Sequence, residues 1–285
     1  MHRSAPRAGR TVTPTRSVPL SRRPQRTLAR AAALALLLGA TSLLMSGCTL
    51  FNSPQNVFAP AGEVAHDQRN LFFITMWPAL AIMILVEGMI LLIVFKFRRR
   101  KTDTALPPQV HGNNRLEIAW TVAPIILLAL FVVPIISGIV KLAKHPDNAV
   151  QIDVIGVQWA WQFSYQNPNN PDGPPIAGNF GDPLHVPVGE DVYVRLHSDN
   201  VIHSFWVPKL AGKTDVIPSR TNHMWFRADE IGTFSGQCAE FCGLQHADMR
   251  FQVVVEPRAD YDAYVGGLAA AQQPAAADQL ARQGD

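Results

Sequence analysis

Residues 71–95 read LFFITMWPALAIMILVEGMILLIVF, twenty-five positions with a single charge, Glu87. Residues 118–140, IAWTVAPIILLALFVVPIISGIV, add twenty-three with none. At ~1.5 Å rise per residue, either run wound as a helix exceeds the ~30 Å hydrocarbon core of a bilayer, so both are predicted to cross a membrane. Pro78, Pro124 and Pro134 are tolerable there, because neighbouring helices or water satisfy the freed carbonyls. Lys96, Arg98, Arg99, Arg100 and Lys101 abut the end of the first run and place the short loop 96–116 in the cytoplasm. The two runs therefore form an out–in–out hairpin, and everything after Lys144 lies outside.

Upstream of the hairpin the chain is basic. Residues 1–30 hold eight Arg and no Asp or Glu, and the fifteen-residue apolar stretch 31–45 leads into Met45-Ser46-Gly47-Cys48. A basic leader, a run too short to span comfortably and small residues before a cleavage point make a secretory signal peptide over residues 1–47. Cys48 resembles the cysteine of a bacterial lipobox, with Met45 where Leu is usual, and is expected to be lipidated. The alternative is an ordinary signal peptide with an incidental cysteine. Cleavage at Cys48 occurs outside, in agreement with the orientation set by the positive loop.

Downstream the pattern turns to β. Val150, Ile152 and Val154 alternate with Gln151 and Asp153, residues 191–196 alternate as well, and 224–227 and 251–255 are rich in β-branched or aromatic residues. Pro- and Gly-rich clusters at 167–175 and 178–187 separate these segments. Short strands without a helical pattern of useful length predict a small Greek-key sandwich or barrel over residues 145–260. The Ala- and Gln-rich end, 261–285, is expected to be a mobile tail. Hydrophobic residues make up 48% of the chain and charged residues 16%, in keeping with membrane insertion. The overall charge of +3 hides a segregation: residues 145–265 carry fifteen Asp plus Glu against seven Lys plus Arg, net −8. An acidic outer domain suits a cationic partner and no nucleic acid.

The three cysteines are too few for a disulfide framework, and no C-x-x-C-H is present to attach a c-type haem. Two of them lie in Cys238-Ala239-Glu240-Phe241-Cys242-Gly243-Leu244-Gln245-His246-Ala247-Asp248-Met249, and His203 opens His203-Ser204-Phe205-Trp206 thirty-five residues earlier. Thiolates, a thioether and imidazoles together favour copper over hard cations. One Cys, one Met and two His would describe a mononuclear electron-transfer site. Two Cys at i and i+4 can instead bridge two ions that share an electron, with His203 and His246 each capping one ion and Met249 a weak ligand. A Cys238–Cys242 disulfide or a structural zinc site are the bland alternatives.

The loop resembles the binuclear copper (CuA) signature of cytochrome c oxidase subunit II, a likeness that runs from about residue 60 to 257. His111-Gly112-Asn113, Leu116-Glu117 and Trp120-Thr121 before Pro124 resemble the approach to that family's second helix. The resemblance implies a two-helix transmembrane hairpin followed by an all-β, cupredoxin-like Greek-key barrel. It also implies a backbone carbonyl of Glu240 as a copper ligand, and a Glu240 carboxylate that reaches magnesium shared with subunit I. In Gln158-Trp159-Ala160-Trp161-Gln162-Phe163-Ser164-Tyr165 it makes Trp159 the surface point where electrons arrive, with Ala160 where many relatives carry an aromatic. Trp161 and Phe163 are read as core residues. Glu117 is favourable at a helix N-terminus, and by resemblance lies near the mouth of a proton-uptake channel. Asp215 and Arg220 match a stretch that faces subunit I. Glu87 is costly in lipid and should face protein or water, in a structural or a proton-handling role. The remaining histidines are read as structural or surface residues.

The function implied is subunit II of a respiratory cytochrome c oxidase in a bacterial cell membrane, with the copper domain outside. Electrons come from cytochrome c or a small copper protein and pass to haem–copper subunit I, where oxygen is reduced with proton translocation. Quinol oxidase subunits II keep the architecture and lose the copper ligands. A non-catalytic, membrane-anchored copper-binding protein is the rival from another class, and it would need exposed, exchangeable ligands.

Overall fold

The structure, a computed structural model, describes residues 23–46, 53–98, 108–109, 111–167, 170 and 173–283. The N-terminal unit is one helix, α1 (Arg23–Ser46), which contains the apolar stretch 31–45. The proposed cleavage and lipidation position, Cys48, lies outside the described residues, as do Arg99, Arg100 and Lys101 of the basic loop.

The second unit begins with two long helices, α2 (Glu63–Lys96) and α3 (Asn114–Leu142). At ~1.5 Å per residue they are about 51 and 44 Å long, more than a bilayer requires. Both are apolar along spans that the protein itself leaves uncovered. Asn113 caps α3, its side-chain oxygen accepting from Arg115 N at 3.1 Å and Leu116 N at 3.3 Å. The capping fixes where α3 starts and sets Glu117 in the first turn, near the positive end of the helix dipole. Helix α2 starts eight residues before its apolar run. Residues 63–70 are polar on their outer side, but Val64 and Ala65 are buried against the β domain.

That domain is two five-stranded sheets face to face. The first has β3 (Ile176–Ala177), β2 (Ala160–Tyr165), β1 (Val150–Val157), β5 (Asp191–Ser198) and β8 (Asn222–Arg227), in that spatial order. The second has β4 (Leu184–Pro187), β10 (Arg250–Glu256), β9 (Gly232–Cys238), β6 (His203–Trp206) and β7 (Lys213–Val216). Each sheet contains one parallel pair, β1 with β5 and β10 with β4, as a chain crossing between sheets requires. A bridge between Ser198 and Pro218 draws the sheets together along one side. Ile152, Val154, Trp161, Phe163, Val194, Leu196, Phe205 and Val253 fill the space between them. Trp161 and Phe163 thus pack the core, as expected of so aromatic a strand.

Two expectations need correction. The Pro- and Gly-rich stretch 178–187 holds strand β4, whose Leu184 and Val186 are fully buried. The tail expected from residue 261 is instead a helix, α4 (Arg258–Gln283). Its first turns are held by packing: Tyr261 and Val265 are buried, and Tyr264 stacks on His185 at 3.7 Å. Gln272 reaches Ala177 O at 2.5 Å. Composition gave no sign of these anchors because three well-placed apolar contacts suffice to dock a helix.

Candidate metal centre

Three connections meet at one end of the sandwich: the β1–β2 turn, the β5–β6 loop and the β9–β10 loop. Cys238 is the last residue of β9 and Met249 immediately precedes β10, so the ladder between those strands fixes both ends of the loop. Cys238 N donates to Met249 O at 3.0 Å, and Ala239 N to Ser204 O at 2.9 Å. In between, a 3₁₀ turn at His246–Asp248 brings His246 back toward Cys242. Gly243 supplies the positive φ of +125° that this reversal needs.

The sequence-predicted ligands converge. Cys238 Sγ lies 3.8 Å from His203 Nδ1 and 3.8 Å from Cys242 Sγ. Cys242 Sγ lies 3.7 Å from His246 Nδ1 and 3.7 Å from Met249 Sδ. The carbonyl oxygen of Glu240 is 3.2 Å from Cys238 Sγ, turned into the site, whereas the residue as a whole is exposed. His203, Cys238, Cys242 and Met249 are buried, and His246 is partly exposed.

The sulfur separation excludes a disulfide, which needs about 2.05 Å. It is short enough for one ion to touch both sulfurs at a metal–sulfur length of about 2.3 Å. Both cysteines are free. Burial, and then the neighbouring Cys238, push the Cys242 thiol up to about 12. Burial, and then His246, pull His203 below the usual imidazole value. Without a cation the site therefore favours a neutral Cys242 thiol and a neutral His203 imidazole; cations of matching softness would reverse the thiol preference and release a proton.

Residues that sequence reading missed hold the ligands in place. His203 Nε2 is 3.2 Å from Asn200 Oδ1, which keeps the proton on Nε2 and turns the Nδ1 lone pair toward Cys238. Gly156 of β1 lies against the other side of the ring: a Cβ there would stand 3.0 Å from His203 Cδ2. The edge of Trp161 completes the seat at 5.9 Å between ring centroids. Gln158 donates its amide to Cys242 O at 2.7 Å. Asn200 and Gly156 belong to no motif, and the aromatic stretch 158–165 that holds Gln158 and Trp161 gave no sign that either seats a ligand. A polar residue three before a predicted ligand was the faint signal for Asn200.

Trp159 is half-buried, its indole laid along the Cys242–Gly243 turn. Among the described residues its Nε1 has no hydrogen-bond partner, and it stands 3.2 Å from where a Cβ on Gly243 would be. Glu117 is not part of this cluster. It lies twenty-four residues before Lys141 on α3, about 36 Å along the helix from the end that meets the β domain. Glu87 is exposed nine residues before the end of α2; Asp215 and Arg220 are exposed on the β7–β8 side.

Residues 53–137 match the family model described as cytochrome c oxidase subunit II, transmembrane domain, and 178–257 the one described as its periplasmic domain. The chain belongs to the cytochrome c oxidase subunit II family. It is 41% identical over 255 residues to cytochrome c oxidase subunit 2 of Alkalihalophilus pseudofirmus, covering 85% of this chain and 70% of that one. A quinol oxidase subunit 2 from Bacillus spizizenii is 30% identical over 239 residues, 81% and 71% of the two chains. Among solved structures, the periplasmic domain of subunit II from Bradyrhizobium japonicum is 29% identical and covers 44% of this chain and 97% of its own, with a TM-score of 0.40. As a member of the subunit II family, the chain is anchored in a membrane and carries its copper-type domain on the extracytoplasmic side.

Proposed function

We propose that this chain is the electron-accepting subunit of a respiratory cytochrome c oxidase. Cys238 and Cys242 would bridge two copper ions, with His203, His246, Met249 and the Glu240 carbonyl completing the set. The observation that supports this most is the convergence of two thiols, a thioether and two imidazoles, each within 3.8 Å of a cysteine sulfur. Zinc would need only four such donors and would gain nothing from a thioether. A copper pair held this way supplies a one-electron relay whose geometry changes little on reduction. The chain's part is to bury the ligands, lock the rings and leave no open position for substrate.

Trp159 is the proposed surface where electrons arrive, since its indole lies over the Cys242–Gly243 backbone and Gln158 bonds directly to Cys242 O. The net −8 of residues 145–265 fits a basic donor such as a cytochrome c; a small copper protein is the other candidate. The reading extends to an out–in–out hairpin, a signal peptide ending at Gly47, and a lipid on Cys48. It also places Glu117 at a proton-uptake mouth and the Glu240 carboxylate on magnesium shared with haem–copper subunit I.

A quinol oxidase subunit is the second reading, favoured by the Bacillus spizizenii likeness alone. It gives no reason for the converged sulfur and imidazole ligands. Solubilised membranes decide between them. The account expects the tagged chain to bring down a haem-containing partner and to support oxidation of a reduced cytochrome or copper protein. Oxidation of quinol alone, or a chain that purifies without haem, would refute it.

A further inference from the structure

The junction between the helices and the β domain is built of charge. Lys141, near the end of α3, pairs with Glu63 at 2.8 Å and with Asp67, both at the base of α2. Glu63 also pairs with Arg227 at the end of β8, and Arg227 Nη1 is 3.4 Å from Asp191 Oδ1 at the start of β5. Five charges thus join both helices to the first sheet. An isolated exposed pair contributes little, but a network in which Glu63, Lys141 and Arg227 each serve two partners is a geometric constraint.

Backbone contacts make α2 continuous with the β domain. Ala61 N donates to Lys209 O at 2.8 Å, Asp229 N to Ala61 O at 2.9 Å, and Gly62 bridges Ala228. Among the described residues α3 shows no such backbone seam; just past its end, His145 packs on Tyr193 of β5 at 3.8 Å between ring centroids. Beside the joint a cavity of about 270 Å³ lies between the two helices, lined among others by Val64, Ile74, Pro134 and Gly138. Lys141 closes the gap across it.

The metal centre is at the far end of the same strands. β5 runs from Asp191 at the joint to Ser198, two residues before Asn200, which contacts His203. Seven residues at ~3.3 Å make a lever of about 23 Å, so a tilt of about 5° at the joint moves the metal centre by about 2 Å. Electron tunnelling falls off exponentially with distance, so a shift of that size is enough to slow transfer out of the site.

We propose that the Glu63–Asp67–Lys141–Arg227–Asp191 network is a rotational lock. It holds the copper domain in register with the partner subunit, and Arg227 and Lys141 are positioning residues for electron transfer out of the site. This rests on the function proposed above. The test uses the purified complex with Arg227→Met and Lys141→Met, and Arg195→Met as a control. Arg195 pairs with Asp153 at 2.6 and 2.7 Å on the same sheet face but touches neither helix.

Three quantities are read: the copper absorption and paramagnetic spectra, KM and kcat with reduced donor, and haem reduction after rapid photoreduction of the copper site. The expected result is unchanged copper spectra, KM within twofold, and copper-to-haem transfer slowed at least tenfold in both junction variants, with Arg195→Met within twofold of the unaltered complex. Should Arg227→Met fail to assemble, Arg227→Lys replaces it. It keeps the charge but not the two-pronged reach, and a threefold slowing is expected. Transfer within twofold of the unaltered complex in the junction variants, or a loss shared equally by Arg195→Met, overturns the lock. An unaltered complex without a copper signal or haem reduction refutes the proposed function instead, so the two failures are distinguishable.

Discussion

Gly156 touches the metal centre without contributing an atom to it, which makes Gly156→Ala a clean steric probe. The new Cβ would lie 3.0 Å from His203 Cδ2, 3.2 Å from His203 Cγ and 3.3 Å from Trp161 Cζ3. Carbon atoms prefer separations of about 3.5–4.0 Å, so the ring must retreat by about 0.5 Å. It has nowhere soft to go: His203 is fully buried, and Asn200 holds its far nitrogen. Overpacking of this kind costs about 1–3 kcal/mol. If that strain falls on the ligand, copper affinity should drop roughly 5- to 140-fold, at about 1.4 kcal/mol per decade. Competition against a chelator of known affinity measures this, with paramagnetic resonance reporting the histidine's coupling to copper. Gly232→Ala is the control, because its Cβ meets only Phe234 at an ordinary 3.6 Å. Affinity and spectrum unchanged in Gly156→Ala would refute His203 as a ligand seated in this way.

Other outcomes follow from the same geometry. Trp159→Ala should slow donor oxidation at least tenfold while leaving the copper spectrum intact, since a central aromatic contact is typically worth about 2 kcal/mol or more. Stopped-flow oxidation of reduced donor checks it. The same reaction should slow with rising salt, because the acidic outer domain attracts its donor over distances that ions screen. At high pH the β domain should lose stability. Burial foremost raises the ionisation of Tyr165, Tyr261 and Tyr264 above the ordinary value of 10.0. Their contribution is therefore whole below pH 10 and is lost as pH climbs beyond it, because the unfolded chain ionises first. Tyr165→Phe should weaken that pH dependence, read from thermal unfolding at pH 9 and above.

The features legible in the sequence were those whose signal is contiguous. Two apolar runs announce membrane helices, and five of the six metal-centre residues sit within twelve positions, 238–249. Strands β1 and β5 declare themselves by alternation. Strands β6, β7 and β9 do not. The first two are four residues long, and β9 carries Gly232 and Gly236 amid polar residues. Helix α4 was hidden for another reason: Gly266, Gly267 and a polar, Ala-rich composition argue for a tail, while docking depends on the fit of Tyr261, Tyr264 and Val265 to the β domain. The residues that seat the ligands, Asn200, Gly156 and Gln158, acquire their roles only when three separate loops meet. Spacing along the chain holds no record of that. The charged joint is equally invisible, since Glu63, Lys141 and Arg227 are far apart in sequence and ordinary in type.

The central claim concerns the metal, and one measurement addresses it directly: copper content together with electron paramagnetic resonance of the purified, oxidised protein. Two coppers per chain, with a single unpaired electron coupled equally to both nuclei, is the predicted result. One copper with an isolated-ion spectrum, zinc in its place, or a Cys238–Cys242 disulfide would contradict it.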